Sequence, residues 1–167
     1  MQGDSKVIDY LNQALTNELT AVNQYWLHYR ILDNWGVKKL AEFERHESID
    51  EMKHADRLAD RILFLDGLPN FQAIGRLKIG ETVEEILRAD LALEMEAIPL
   101  LKEAIAHAES VRDFTSRDLF ADILANEEEH VDTLETQFEM IARMGLENYI
   151  QLQIGRASCR ERVYSSV

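Results

Sequence analysis

Two of the five histidines in the sequence, His54 and His130, have a glutamate three residues before them, Glu51 and Glu127. On a helix an i, i+3 pair shares one face, so a carboxylate and an imidazole can reach the same ion. A single Glu-x-x-His is a weak signal, because a Glu-rich helical chain produces it by chance as an exposed polar pair. Here both pairs sit on apolar stripes: Leu58, Ile62 and Leu65 continue the face of His54, and Leu134, Phe138 and Ile141 that of His130. Glu18 falls between Leu15 and Val22, and Glu94 between Leu91 and Ile98, so each of four helices is expected to bury one glutamate.

Four ionised carboxylates buried without partners would cost several kcal/mol apiece, enough to unfold a domain of ordinary stability. Two divalent cations balance four glutamates, and oxygen with imidazole ligation suits iron or manganese better than calcium, with zinc as a competitor. Glu18, Glu51 and His54 recur as Glu94, Glu127 and His130 at one 76-residue offset, and the apolar pairs Leu11/Leu87, Leu15/Leu91, Leu58/Leu134 and Ile62/Phe138 follow it. Two hairpins therefore read as pseudo-twofold copies, each supplying half of a binuclear site. This is the ligand pattern of ferritin-like di-iron and di-manganese proteins.

The elements that must position these residues are apolar stripes separated by breakers. From Val7, the positions Leu11, Leu15, Val22, Trp26 and Tyr29 keep helical spacing until Asp33-Asn34-Trp35-Gly36, a helix of roughly seven turns. A second run from near Val37 carries Leu40, Phe43, Leu58, Ile62 and Leu65 and stops at Asp66-Gly67-Leu68-Pro69-Asn70. Residues 66 to about 81 lack periodicity and predict a long connection able to run the length of a bundle. Thr82 with Glu85 resembles a capping box, and Val83, Leu87, Leu91, Ile98, Leu101 and Ile105 form the third stripe, with a local bend expected at Pro99. The fourth helix is expected from about Thr115, with Phe120, Ile123, Leu124, Val131, Leu134, Phe138 and Ile141 inside, closing at Gly145 before a short fifth helix from Leu146. Two hairpins joined by one long crossover predict an all-α fold, the ferritin-like four-helix bundle with a short C-terminal fifth helix.

Composition agrees and excludes other classes. A chain of 167 residues at 46% hydrophobic is the size of one domain, and two prolines and seven glycines are too few for a turn-rich β fold. A formal net charge of -13 repels phosphate surfaces, which argues against nucleic-acid or anionic-membrane partners and leaves cations as natural small ones. Acidity for solubility alone is the rival explanation. The single cysteine, Cys159, can build neither an internal disulfide nor a thiolate metal site. Neither a basic leader nor eighteen consecutive apolar residues occurs, so a reducing cytoplasmic setting is expected.

Over residues 1 to about 154 the chain resembles the bacterioferritins, through the paired Glu-x-x-His motifs with Glu18 and Glu94. Animal-type ferritins keep a single such histidine. The resemblance implies that Glu18, Glu51, His54, Glu94, Glu127 and His130 ligate a di-iron ferroxidase centre, with Glu51 and Glu127 as bridges. There O2 or H2O2 would oxidise Fe(II) to Fe(III), stored as mineral inside a 24-mer cage assembled from dimers. It also implies that Met52, rotated off the core face, ligates a haem b shared between two subunits, against the rival reading of an ordinary outward methionine. His46 and Asp50 resemble inner-surface iron ligands. Asn34, Asp66, Asp132 and Thr136 resemble pore residues, and Asn148 with Gln151 resemble those of a fourfold channel; solvated polar positions are the alternative for all six. A ferredoxin-type reductase is the implied partner for iron release. Tyr25, seven residues after Glu18 on the same face, is close enough to donate a hydrogen bond or an electron, or is an ordinary core tyrosine.

Two features depart from the family pattern. Asn126 stands where an aspartate orienting a ligand histidine is expected, keeping an acceptor but losing the charge. After Ile154 the run Gly155-Arg156-Ala157-Ser158-Cys159-Arg160-Glu161-Arg162-Val163 turns basic and reads as a vector-derived tail, so the domain is expected over 1–154 with 155–167 as non-native sequence. The rival functions are a rubrerythrin-like di-iron peroxidase, a di-manganese catalase and a non-enzymatic haem- or metal-binding protein. The first usually brings a Cys-rich module and the second a larger chain.

Overall fold

The computed structural model describes residues 1–155, and the expected change of character along residues 156–167 lies outside them. Helix α1 spans Ser5–Trp35 and starts where the Asp4 carboxylate accepts from the backbone N–H groups of Lys6 and Val7. It ends at Gly36, whose φ of 83° is left-handed. Helix α2 covers Lys38–Phe64, α3 Val83–Ser110, α4 Phe114–Met144 and α5 Leu146–Gln153. Among the described residues no helix is long and apolar enough to cross a membrane.

Two apolar clusters hold the bundle at its two ends. One gathers Leu11, Leu15, Leu58, Ile62, Leu101, Phe120 and Ile123, and the other Leu32, Leu40, Ile86, Leu87, Leu134 and Tyr149. Along every long helix most of the buried polar residues fall between the two clusters, so the site lies in mid-bundle. Helix α2 ends at the first cluster and α3 begins at the second, so the crossover must run the length of the bundle. This fixes the ferritin-like topology.

Polar side chains of α1 hold that crossover. Asn12 Oδ1 accepts the Asn70 N–H at 2.8 Å, Thr20 Oγ1 that of Gly75 at 2.8 Å, Gln24 Oε1 that of Lys78 at 2.9 Å and His28 Nε2 that of Gly80 at 3.1 Å. Spacing by fours and eights keeps these acceptors on one stripe, and they satisfy backbone donors that an irregular segment cannot pair internally.

Several sequence expectations need correction. Trp26 is 44% exposed and Phe43 only partly buried. The core of α1 runs instead through Leu19, Tyr25 and Leu32, and Glu44 occupies the buried position beside Phe43. Helix α2 thus buries two glutamates, and α3 adds Asp90 to Glu94. Thr82 caps α3 by accepting the Glu85 N–H at 3.2 Å, but Glu85 reaches back to the N–H of Glu81 at 2.9 Å, one residue before the cap.

Candidate metal centre

Each long helix contributes to one buried polar knot. Glu18 comes from α1, Glu51 and His54 from α2, Glu94 from α3, and Glu127 and His130 from α4; the four glutamates are 1–2% exposed. The i, i+3 spacing brings His54 Nδ1 to 3.3 Å from Glu51 Oε2, and helix pairing brings it to 3.1 Å from Glu18 Oε2. His130 Nδ1 lies 3.1 Å from Glu51 Oε1 and 3.7 Å from Glu94 Oε1. Two groups result, Glu18/Glu51/His54/Glu127 and Glu51/Glu94/Glu127/His130, each with ligand-type atoms within 4.8 Å of one another. They share Glu51 and Glu127.

The electrostatics show what the knot lacks. Burial, and then the charge of Glu51, push the Glu18 and Glu127 carboxyls well above the usual carboxylate range. Burial acts the same way on Glu51, but its close contacts with Glu18, His130 and His54 outweigh it and hold that carboxyl low. Burial alone would depress His130, whereas the surrounding carboxylates of Glu47, Glu51 and Glu94 raise it. Glu51 Oε1, Glu127 Oε1 and His130 Nδ1 are shielded from water yet have no hydrogen-bond partner. Orphaned carboxylate and imidazole lone pairs converging on one volume suit divalent cations of the iron, manganese or zinc kind.

The outer imidazole nitrogens are held differently. His54 Nε2–H donates to Asn126 Oδ1 at 3.2 Å. His130 Nε2 lies 2.8 Å from Glu47 Oε2 in an ion-pair contact, and that oxygen has no hydrogen-bond partner. Tyr25 O–H donates to Glu94 Oε1, and burial followed by the Glu94 charge raises the phenol well above its ordinary range.

The other expected positions lie outside the knot. His46 is exposed and 3.2 Å from Glu42, and Asp50 pairs with Lys53 at 2.6 Å, so the two are not drawn together. Met52 is 41% exposed, on an apolar groove with Val22, Trp26 and Ile49. Asn34, Asp66, Asp132, Thr136, Asn148 and Gln151 are all exposed.

Four long helices enclosing a carboxylate and histidine centre define the class of ferritin-like proteins. The family model of the ferritin-like domain matches residues 8–144. The chain is 50% identical over 157 residues to a bacterioferritin of Brucella melitensis, covering 94% of this chain and 98% of that protein. It is 52% identical over 149 residues to one from Mycolicibacterium paratuberculosis (89% and 94% covered) and 48% over 154 residues to one from Streptomyces coelicolor (92% of each). The chain belongs to the bacterioferritins of the ferritin-like family.

A second buried cluster escaped the sequence reading. His28, Glu44 and Asp90 are fully buried, with ligand-type atoms within 4.8 Å of one another. Because Gly80 N–H donates to His28 Nε2, the ring proton sits on Nδ1 and donates to Asp90 at 2.9 Å. Gln24 Nε2 donates to the same carboxylate at 2.8 Å, which leaves both Glu44 oxygens without a donor. Burial, then the Asp90 charge, pushes Glu44 well above the carboxylate range. With its proton on the inward nitrogen, His28 makes this a hydrogen-bonded network and not a ligand set.

Proposed function

We propose that this protein stores iron and acts as a ferroxidase, oxidising Fe(II) to Fe(III) with O2 or H2O2 as electron acceptor and holding the ferric product as mineral inside a cage. The observation that carries the reading is the pair of buried groups sharing Glu51 and Glu127, with lone pairs that no protein donor satisfies. In this reading Glu18 and His54 hold one iron, Glu94 and His130 the other, and Glu51 and Glu127 serve both. Two substrate irons held together give up two electrons at one place. Asn126 and Glu47 turn the histidine Nδ1 atoms inward, and the surrounding helices exclude bulk water.

Family membership supports the coarser features of the reading, iron storage and assembly into an oligomeric cage; the reading extends these to a cytoplasmic 24-mer built from dimers, iron release through a ferredoxin-type reductase partner, and a domain comprising residues 1–154. The apolar groove at Met52 supports a further part of the reading, in which the Met52 thioethers of two copies of the chain would hold a haem b between them. Haem would supply a one-electron carrier there. The test is oxygen consumption on adding Fe(II) to the assembled protein. Rapid uptake in wild type, lost in Glu18→Ala and His130→Ala while helicity is kept, is expected; unchanged kinetics in both variants would sink the assignment.

A further inference from the structure

The six inward-facing groups of the centre repeat at a 76-residue offset, but the residues behind the histidines do not. His130 is backed by the carboxylate of Glu47 at 2.8 Å, and His54 by the neutral amide of Asn126 at 3.2 Å. At the same offset Glu47 corresponds to Ile123, a core residue, and Asn126 corresponds to Asp50, whose carboxylate is taken by Lys53 at 2.6 Å. Neither half can therefore borrow the other's support.

A carboxylate behind an imidazole polarises the ring, raises the basicity of the inward nitrogen and compensates the charge the metal brings; an amide oxygen fixes the tautomer without supplying charge. The environment of Asn126 does not make up the difference. The opening beside Asn126 carries charges of both signs, Asp50 paired with Lys53 at 2.6 Å and Arg57 with Asp122 at 2.8 Å together with Glu129, but the contact that His54 Nε2 makes is to the neutral amide oxygen of Asn126 at 3.2 Å. Glu47 and His130 are by contrast both largely buried, which keeps their interaction from being screened by water.

Building on the binuclear reading above, we propose that the two halves of the centre bind metal unequally, the His130 half tightly and the His54 half weakly, with Glu47 and Asn126 as the positioning residues that set the difference. Losing an outer partner of a ligand histidine typically changes metal affinity by about 10–100-fold, which sets the expected gap. The first ion would occupy the His130 side, and pairing would depend on how much Fe(II) is present.

Co(II) is a suitable probe because it binds such sites without being oxidised by the protein and reports its surroundings through visible absorption. Anaerobic titration of the assembled wild-type protein is expected to show two Co(II) per chain in two steps, the tighter lost in His130→Ala and the weaker in His54→Ala. Asn126→Asp is expected to tighten the weaker step by tenfold or more and leave the tighter one in place. Glu47→Gln should weaken the tighter step by a similar factor, and the double variant should reverse the order of filling. The inference is overturned if Asn126→Asp shifts neither step, or shifts both equally. If either single variant fails to assemble, the other decides alone. Fewer than two Co(II) per chain in wild type would defeat the binuclear reading itself, an outcome separate from two equal steps, which defeats only the inequality.

Discussion

Substitution of Glu127 by glutamine has opposite effects on stability in a metal centre and in a structural polar network. Glu127 is buried, its Oε1 has no hydrogen-bond partner, and it belongs to both ligand groups. Ligand atoms in each group lie within 4.8 Å of one another, and two full negative charges at that separation repel by about 3.5 kcal/mol at an effective dielectric of about 20. Burial and the Glu51 charge raise the Glu127 carboxyl well above its ordinary value of 4.5, so proton uptake already relieves part of this repulsion. A group raised in the folded state contributes its stability below that ordinary value and loses it as pH rises. Glutamine removes the loss. Metal-free Glu127→Gln is therefore expected to gain about 1 kcal/mol near neutral pH, a melting temperature higher by about 2–4 °C, with a larger gain at alkaline pH. Metal reverses the ranking. Wild type with Co(II) at about a hundred times its Kd gains about 2.7 kcal/mol, and the variant, lacking a shared ligand, should lose most of that gain. Scanning calorimetry of both proteins in chelator and in Co(II) reads all four states. A chelated variant that melts several degrees lower, yet keeps the full Co(II) increment, would show that Glu127 is a structural hydrogen-bonding group and not a metal ligand.

Two further outcomes concern the frame around the centre. Asp113 caps α4 by accepting the Ser116 N–H at 3.0 Å and takes Arg61 Nη2 at 2.6 Å, so Asp113→Ala should cost about 1–3 kcal/mol in denaturant unfolding near pH 6. Burial pushes the Asp113 carboxyl up, but Ser116 and Arg61 outweigh it and hold it below 3.8; its stabilisation is present above that pH and is lost below it, so the wild-type advantage should fade in acid. At Gly80 a Cβ would come within 2.3 Å of the Ile86 backbone nitrogen, so Gly80→Ala should destabilise by about 1–3 kcal/mol and raise hydrogen exchange at the start of α3.

The long helices were legible because their stripes are regular and their ends carry Gly36, Thr82 and Gly145, whose physical roles are local. The clustering of the buried glutamates and histidines was legible for a different reason: an internal repeat places like residues on like faces, so Glu18 vouches for Glu94 and His54 for His130. The second cluster has no such copy. The positions 76 residues from His28, Glu44 and Asp90 are Ala104, Phe120 and Ala14, all in the apolar end of the bundle. Nothing in a single sequence marks Glu44 as buried while its neighbour Phe43 looks the better core residue. Likewise Thr20, Gln24 and His28 look like ordinary polar positions on α1 until the crossover is seen lying over them. Trp26 misled for the converse reason, since an apolar groove on the outer surface shares the helical spacing of a core.

Anomalous scattering at the iron edge, from crystals loaded anaerobically with Fe(II), would locate the two irons of a binuclear site between the four helices. Two peaks per chain about 3.5–4 Å apart are expected, both beside Glu51 and Glu127, one on the His54 side and one on the His130 side. A single peak there, or iron found only on exposed acidic residues with none beside Glu51 and Glu127, would contradict a binuclear site.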